Sequence, residues 1–462
     1  MGKKRAFIIG LDCATPQILF DEYRDCFPVL SSLLDKGTWG ELNSTIPAIT
    51  VPAWSCMMSG RDPGELGFYG FRNRKDRSYD KLIFANSSFV KYNRVWDYLT
   101  EIGKQSIVIG VPQTYPPSKV NGYLAASFLT PDINSNYTYP PEFKEEIKKV
   151  TDGYMIDVED FRTEEKSRLL NDIYKMTGKR FRLVNHMLDT RKDWDFFMFV
   201  EMGVDRIHHG FWKYHDRNHP KYEPGNPFEN SIIDYYKYLD TEIGSLINKL
   251  DDDTIVIVIS DHGAQTMIGG ICLNEWLYEN GYLKFEEYPV EPVRIEKVKI
   301  RWNETKAWGF GGYYGRIFLN VKDREPEGVI APGDYEKVRD ELKAAFETMK
   351  DEEGNLLGTK VFKPEDIYRK VNGIAPDLFI YFGDLRWRSV GTVGLKSVYT
   401  YENDTGPDDA NHAQNGIVIL FDPKKKGTGR SENLDIMDIT PTLLDYFGLN
   451  IPTDLQGKKI KF

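Results

Sequence analysis

Acidic residues and histidines occur in pairs whose spacing suits a metal site. Asp205 and His209 are four residues apart, so a short helical turn would place both side chains on one face. Asp261 and His262 are adjacent, and Gly263 permits the sharp turn that would let both reach one ion. Carboxylate oxygens and imidazole nitrogens are ligands for zinc or manganese. These two pairs therefore predict a bound divalent metal.

Two further residues could extend this set. Asp12 directly follows an apolar run near the start of the chain, and its alternative role is to cap a helix after Pro16. His412 lies among small residues, in a segment that we expect to be a loop at the edge of a sheet. There it could join Asp205 and His209 at one ion, and its alternative is an ordinary loop histidine.

Thr50 is the candidate nucleophile. It lies in the segment IPAITVPAW, where Pro52 fits the first turn of a helix and places Thr50 at or beside the N-cap. Backbone N–H groups at a helix N-terminus favour an anionic phosphoryl group. A threonine hydroxyl needs a base or a metal to become reactive. Because no Ser-His-Asp spacing is evident, a metal is the expected activator, and simple helix capping is the alternative role.

The elements that would position these residues are short, almost wholly apolar strands. Such runs are typical of parallel strands buried on both faces, and they occur at 6–12, 105–111, 195–202, 254–260 and 416–422. Amphipathic segments between and after them predict helices at 163–188, 230–250 and 436–446. The alternation predicts an α/β fold, with a doubly wound, mostly parallel sheet and helices on both faces.

The ends of the predicted strands explain how distant residues could meet. Ligands of doubly wound sheets bind beyond the carboxyl ends of the strands. Asp12, Asp205 and Asp261 each follow a predicted strand, at or just beyond its end. Three separate strands would therefore deliver acidic residues to the same edge of the sheet.

Residues 283–405 have a different pattern from the rest of the chain. They combine short mixed strands and turn-rich connections with one predicted helix at 333–349. We interpret this range as an inserted α+β cap subdomain with approximate boundaries. Residues 1–282 and 406–462 would then form the catalytic core.

The order of the candidate residues resembles the alkaline phosphatase superfamily, and more closely its type I phosphodiesterase/nucleotide pyrophosphatase branch. The resemblance runs from residue 6 to about residue 446. The matching features, in chain order, are the first-strand aspartate Asp12, Thr50 followed by Val-Pro, the Asp-x-x-x-His motif of Asp205 and His209, the Asp-His-Gly motif at 261–263, and the late histidine His412.

The resemblance implies two divalent metal ions, with Zn²⁺ preferred and Mn²⁺ as the alternative. One ion would be held by Asp205, His209 and His412, and the other by Asp12, Asp261, His262 and the Thr50 oxygen. It also implies that the threonine attacks phosphorus and that water then hydrolyses the phospho-threonine, with overall retention at phosphorus.

The candidate substrate-binding residues are Asn73, Trp54 and Tyr69. Asn73 is the counterpart of a phosphate-contacting asparagine of the branch, at a different spacing. Trp54, Phe68, Tyr69 and Phe71 could stack a base or line a pocket for the leaving group, and packing in the core or against the cap is the alternative. Ala53 and Trp54 stand where the branch often has Asn-His, which keeps the substrate class open.

The leading hypothesis is a phosphodiesterase or nucleotide pyrophosphatase, and a phosphomonoesterase or phosphonate hydrolase is the alternative. A phosphoglycerate-mutase-like enzyme is less favoured, because members of that branch have a serine nucleophile and a longer inserted domain. A sulfatase is disfavoured because Cys56 lacks the C/S-x-P-x-R context. A catalytically inactive scaffold is disfavoured because every expected ligand is present.

The composition and charge of the chain limit the classes of substrate and partner that we expect. The net charge of −10 disfavours a generic polyanion binder, so we expect a small phosphate ester or nucleotide as substrate and no stable nucleic-acid complex. The chain has four cysteines without a CxxC pair and no long apolar run, so we expect a cytoplasmic protein with free thiols and no membrane association. The oligomeric state stays open.

Overall fold

The computed structural model describes residues 3–462, in which strands and helices alternate along most of the chain. The strands are β1 (Arg5–Leu11), β2 (Thr38–Asn43), β3 (Arg72–Arg74), β4 (Leu82–Phe84), β5 (Ser106–Ile109), β6 (Gly122–Ala125), β7 (Thr138–Tyr139), β8 (Phe196–Glu201), β9 (Thr254–Ile259), β10 (Gly263–Thr266), β11 (Gly269–Cys272), β12 (Val293–Arg294), β13 (Ala307–Phe310), β14 (Gly315–Leu319), β15 (Lys360–Phe362), β16 (Leu378–Tyr381), β17 (Trp387–Val390), β18 (Thr392–Val393), β19 (Tyr399–Thr400), β20 (Ala410–Ala413), β21 (Asn415–Phe421), β22 (Gly429–Arg430) and β23 (Leu434–Asp435). The α-helices are α1 (Pro28–Lys36), α2 (Thr50–Ser59), α3 (Pro63–Leu66), α4 (Val95–Glu101), α5 (Phe143–Thr151), α6 (Lys166–Thr190), α7 (Gly203–His215), α8 (Ser231–Ile247), α9 (Leu273–Glu279), α10 (Tyr335–Glu347), α11 (Pro364–Ile367) and α12 (Ile439–Phe447).

The large sheet has the spatial order β22-β2-β21-β9-β1-β8-β5-β6-β7, with β23 beside β2. Its centre is parallel, because β1 pairs with both β8 and β9, and β5 pairs with β8 and β6 in the same direction. Strands β8 and β9 are buried along their whole length, as their apolar runs predict. The predicted α/β fold with a mostly parallel sheet is therefore confirmed.

The direction of one predicted strand is wrong. The sequence pattern at 416–422 predicts a parallel strand, whereas β21 runs antiparallel to both of its neighbours, β9 and β2. Ile417 to Leu420 are nevertheless buried, as the pattern requires. A continuous apolar run indicates burial on both faces of a sheet and carries no information about strand direction.

A second apolar core lies mostly in the range that we call the cap (283–405), and Ile271, Leu273 and Leu277 of the preceding segment belong to it. Strands β13, β14, β16 and β15 form an antiparallel four-stranded sheet, and α10 lies where a helix is predicted at 333–349. The smaller sheet β17-β11-β19 ties the cap to β11 of the preceding segment. The boundaries of the cap at 283 and 405 stay a prediction.

Aromatic side chains join the segment after α3 to the cap. Tyr69 packs against Tyr368 and Phe379, with ring centroids 5.7 and 5.9 Å away. Tyr314 of the cap donates a hydrogen bond to the backbone carbonyl of Tyr69 at 2.5 Å. This contact fixes the cap beside the N-terminal end of α2. Within residues 3–462, no helix has the length and apolar character needed to cross a bilayer.

Candidate active site

The carboxyl ends of three neighbouring strands converge at one edge of the large sheet. Asp12 directly follows β1, and Asp261 follows β9, whose Ile259 lies opposite Gly10 in the parallel ladder. Asp205 lies in the first turn of α7, which follows β8. Because β8, β1 and β9 are adjacent, residues far apart in the sequence meet here, as the strand ends predict.

The His-rich cluster consists of Asp205, His209 and His412, all of them buried. His209 Nε2 lies 3.3 Å from Asp205 Oδ1 and 3.3 Å from His412 Nε2. His412 Nε2 lies 3.9 Å from the same carboxylate oxygen. One turn of α7 separates Asp205 from His209, so the predicted helical spacing places both side chains on one face.

The Asp-rich cluster consists of Asp12, Asp261 and His262, which are fully buried. His262 Nε2 lies 3.2 Å from Asp261 Oδ2 and 4.0 Å from Asp12 Oδ1. The other two carboxylate oxygens are occupied, since Trp54 Nε1–H donates to Asp12 Oδ2 at 2.7 Å and the Cys13 N–H donates to Asp261 Oδ1 at 3.2 Å. Asp12 does not cap the helical turn at Gln17–Glu22, where no side chain caps the N-terminus.

The Asp-rich cluster fits a cation. Asp12 Oδ1 and Asp261 Oδ2 are buried and accept no hydrogen bond from the described residues. Burial and then the neighbouring carboxylate of Asp261 raise the pKa of Asp12 well above its usual range. Burial likewise raises the pKa of Asp261 to about 6. Two buried carboxylates with free oxygens facing one imidazole form a donor set that a divalent ion would neutralise.

Charges around the His-rich cluster act in opposite directions on its members. Burial lowers the pKa of His209, but the carboxylates of Asp408 and Asp205 outweigh burial and raise this pKa to about 9. Burial acts to raise the pKa of Asp205, and the charges of His209 and Arg206 outweigh it and hold this pKa well below its usual range. Burial, with His262 and His209, keeps the pKa of His412 low.

Hydrogen bonds on the far side of each imidazole point one ring nitrogen toward the clusters. His209 Nδ1 lies 2.7 Å from Asp408 Oδ1, and His412 Nδ1 lies 2.9 Å from the Ala48 carbonyl. A carbonyl only accepts, so His412 carries its proton on Nδ1 and leaves the Nε2 lone pair free. Such outer partners orient metal-binding histidines. Asp408 was not among the residues singled out by the sequence.

Thr50 is the first residue of α2, preceded by Ile49 in extended conformation. Its Oγ1 lies 3.4 Å from His262 Nε2, so the hydroxyl lies beside the Asp-rich cluster. The Thr50 side chain makes no capping hydrogen bond within α2, and it is almost wholly buried. Pro52 has no N–H and the Ala53 N–H bonds the Ile49 carbonyl, so the Thr50 and Val51 N–H groups are the first-turn donors without intrahelical partners, which is favourable for an anionic phosphoryl group.

The position of His412 differs from the sequence expectation. His412 was expected in a loop, but it lies on β20, which pairs antiparallel with β10 and places His412 opposite Ala264. The expectation of a loop is wrong because small polar residues also fit a short two-stranded ladder. His208 points away from the clusters toward Tyr236 Oη at 3.2 Å, and burial lowers its pKa to about 3.

The three candidate substrate-binding residues lie behind the wall of the cavity rather than on it. Trp54 is fully buried beneath the Asp-rich cluster. Tyr69 donates its hydroxyl hydrogen to the Asn372 carbonyl. The Asn73 amide accepts from the Tyr69 N–H at 2.8 Å and donates to the Gly70 carbonyl at 2.9 Å, so it holds the local turn.

A cavity of about 480 Å³ opens onto Thr50 and the His-rich cluster, and the core and the cap both line it. Its walls combine aromatic rings with arginines, and among these residues the sequence singled out only Phe71. The aromatic residues include Phe71, Phe128, Phe161, Phe310 and Tyr313, and the arginines are Arg72, Arg162, Arg206, Arg294, Arg316 and Arg388. The mixture suits an organic phosphate, because rings pack against apolar groups and guanidinium forks bind phosphate oxygens.

Two convergent Asp/His clusters at the carboxyl edge of a mostly parallel sheet, with a helix-terminal threonine beside them, define the class as phosphoric ester hydrolases of the alkaline phosphatase superfamily. Residues 6–408 match the family described as type I phosphodiesterase / nucleotide pyrophosphatase, and the chain belongs to this family. The resemblance inferred from the motifs is confirmed. A comparison with curated proteins finds no match.

Solved structures with the same fold include murine ectonucleotide pyrophosphatase / phosphodiesterase 5, in an inactive threonine-to-alanine form bound to AMP. It is 14% identical with a TM-score of 0.56, and the match covers 98% of this chain and 97% of that chain. The human protein of the same name is 13% identical with a TM-score of 0.57, and the match covers 98% and 97%. At such low identities the likeness shows a shared fold.

Proposed function

We propose that this family member is a metal-dependent phosphodiesterase or nucleotide pyrophosphatase in which Thr50 is the nucleophile. The observation that carries the proposal is the placement of Thr50 Oγ1 at 3.4 Å from His262 Nε2, in the cavity that also exposes the His-rich cluster. Its hydroxyl therefore lies beside the Asp-rich cluster and in the same cavity as the His-rich cluster. The murine structure of a relative that is inactive as a threonine-to-alanine variant supports the same assignment.

The donor sets suit two divalent ions, one held by Asp205, His209 and His412, and the other by the Asp-rich cluster with the Thr50 oxygen. We propose zinc, with manganese as the alternative, since nitrogen and carboxylate donors accept both. When bound, the ions would supply Lewis-acid activation of a hydroxyl and of phosphoryl oxygens.

The residues of the chain have separate tasks in the proposed reaction. The Thr50 hydroxyl loses its proton as Oγ bonds to phosphorus and the bond from phosphorus to the leaving oxygen breaks. The leaving oxygen takes up a proton from solvent, and a phospho-threonine results. The N-terminal end of α2 stabilises the phosphoryl oxygens through its free N–H groups. Water then cleaves the phospho-threonine, so two displacements retain the configuration at phosphorus.

The substrate is proposed to be a small phosphate ester or nucleotide. AMP bound to the murine relative supports this choice, and the size of the cavity and its aromatic walls fit an organic group. We also propose a cytoplasmic location, which the buried free thiols of Cys13, Cys56 and Cys272 support.

The test is a metal-supplemented activity panel with a matched set of variants. Bis-p-nitrophenyl phosphate and thymidine p-nitrophenyl monophosphate probe diester cleavage, while p-nitrophenyl phosphate and a phosphonate probe the alternative. Diester turnover should be abolished in Thr50→Ala and partly retained in Thr50→Ser, with metal content unchanged in both. Full activity of Thr50→Ala would exclude Thr50 as the nucleophile, and faster monoester or phosphonate turnover would replace the proposed substrate class.

A further inference from the structure

Three arginines near the mouth of the active-site cavity stand apart from the arginines close to the metal clusters. Arg72 lies on β3, Arg294 on β12 and Arg316 on β14, so the core and the cap both contribute. Arg72 and Arg294 are exposed, whereas Thr50 at the inner end is 3% exposed. Arg316 is half-buried, so all three side chains are more exposed than Thr50.

The inner arginines of the cavity are committed to carboxylates. Arg162 donates to Asp408, and Arg388 lies 3.4 Å from Asp404. The third inner arginine, Arg206, binds both Asp157 and Asp205. Their charge is balanced by the protein itself.

Arg72, Arg294 and Arg316 make no ion pair with any carboxylate of residues 3–462. Glu296 also lines the cavity and likewise makes no ion pair. Three guanidinium groups against one carboxylate leave two positive charges in excess at this end of the cavity.

Arg316 is held in place with unused hydrogen-bonding capacity. Its Nη1 donates to the Arg72 backbone carbonyl at 2.6 Å, which joins the cap to the core. Its guanidinium carbon lies 5.8 Å from the Phe310 ring centroid and 5.7 Å from the Tyr314 ring centroid. The Arg316 Nη2 group is accessible and donates to no described residue. A fixed guanidinium with an accessible free donor is a ready anion contact.

We propose that Arg72, Arg294 and Arg316 form a second anion site that binds a phosphate group of the substrate remote from the bond that is cleaved. The excess of two charges matches a phosphate dianion, and guanidinium forks match its oxygens. This inference rests on the proposed function and narrows the class of substrate. The substrates of the protein would be phosphoric esters or anhydrides that carry a further terminal phosphate.

The test measures binding and needs no turnover. Metal-loaded Thr50→Ala protein is titrated calorimetrically with two series of alkyl phosphonates of increasing chain length. One series ends in a methyl group and the other in a second phosphonate. At the length that spans both sites, the second phosphonate should tighten binding about tenfold or more, as expected for charge-assisted hydrogen bonds. A third series ending in a carboxylate distinguishes a carboxylate from a phosphate as the natural group.

Variants assign the effect to the proposed site. Arg316→Met, and the double variant Arg72→Met with Arg294→Met, should each reduce the advantage of the second phosphonate to about threefold or less. The double variant changes two exposed side chains, so it keeps the test valid if Arg316→Met fails to fold. Arg301→Met is the matched control, because Arg301 is an exposed cap arginine outside the cavity.

The outcomes separate the two proposals. If methyl-ended phosphonates bind and the second phosphonate gives no advantage at any length, the second anion site is wrong and the proposed function stands. If the second phosphonate tightens binding in the arginine variants as much as in the parent, the assignment of the second anion site to these arginines is also wrong. If no phosphonate of any series binds to metal-loaded protein, the proposed function fails and the second site falls with it.

Discussion

His209 and Asp408 form a buried pair, with Nδ1 and Oδ1 2.7 Å apart and no exposure of either side chain beyond 1%. The carboxylate lies on the side of the ring opposite to the His-rich cluster, where His209 Nε2 meets Asp205 and His412. Arg162 and Tyr313 both donate to the second oxygen of Asp408, which fixes the carboxylate in turn. The pair therefore positions His209 from outside the cluster.

Replacement of Asp408 should weaken metal binding at the His-rich cluster. We expect Asp408→Asn to lower the affinity for zinc at this cluster about 10- to 100-fold, because the amide no longer stabilises the imidazole as a ligand. Zinc competition with a chromophoric chelator measures the change, and activity at saturating zinc should recover. The matched control is Asp409→Asn, since the Asp409 side chain faces Lys166 and Lys213 rather than either cluster, and its backbone hydrogen bond to the His209 carbonyl is kept in the variant. Unchanged affinity in Asp408→Asn would show that Asp408 does not position His209.

Metal binding should release a proton from His209. The pKa of His209 in the metal-free protein is about 9, because Asp408 and Asp205 outweigh the effect of burial. The imidazole is therefore charged near neutral pH and must lose its proton to bind an ion. Apparent affinity should rise up to about tenfold per pH unit below pH 9 and level off above it. Calorimetry in buffers of different ionisation enthalpy counts the protons, and binding without proton release near pH 7.5 would contradict the prediction.

The hydrogen bond from Trp54 to Asp12 should stabilise the metal-free protein. In Trp54→Phe an aromatic ring is retained, but Asp12 Oδ2 loses its hydrogen bond; because Oδ1 already has none, neither oxygen of the buried carboxylate then has a donor among the described residues. We expect the free energy of unfolding to fall by about 1–3 kcal/mol, the cost of an unsatisfied buried acceptor. Urea unfolding of the EDTA-treated protein measures it.

Trp96→Phe is the matched control for Trp54→Phe. Trp96 is also buried, and its Nε1–H has no acceptor among the described residues. Its replacement removes similar ring area without removing a hydrogen bond. Equal losses of stability in the two variants would show that the contact between Trp54 and Asp12 contributes nothing measurable.

Short sequence patterns predict the structural features that depend mainly on residues close together in the chain. Apolar runs indicate buried strands, strand ends predict that Asp12, Asp205 and Asp261 converge, and helical spacing predicts that His209 joins Asp205. The direction of β21 depends on its neighbours in the sheet and is not encoded in its own run. The β20 ladder that carries His412 depends likewise on pairing with a distant segment.

Apart from Phe71, the walls of the cavity could not be predicted for the same reason. Arg72, Arg294 and Arg316 come from three separate segments and form no motif. Asp408 is one of two consecutive aspartates, and only the fold shows that it faces His209 while Asp409 faces Lys166 and Lys213. Trp54 has an aromatic side chain of the kind that stacks on a base, but helix α2 directs this side chain into the core.

Removal of one imidazole should remove one metal ion, with a neighbouring histidine as an internal control. In His209→Ala the His-rich cluster retains a single imidazole and one carboxylate, too few donors to hold an ion tightly. In His262→Ala the Asp-rich cluster keeps two carboxylates but loses its only nitrogen donor. Since there are two clusters, each variant should bind one zinc per chain where the parent binds two, and diester turnover should fall at least about 100-fold.

His208→Ala controls for the loss of a buried histidine, because His208 is adjacent to His209 and belongs to neither cluster. Its ring contacts Tyr236 and Trp212, so its removal should lower stability by about 2–3 kcal/mol through lost packing, while two zinc ions per chain remain. Metal content is measured by elemental analysis after dialysis and stability by urea unfolding. A parent protein that binds no zinc, or a His208→Ala protein that loses zinc as His209→Ala does, would contradict the assignment of the ligands.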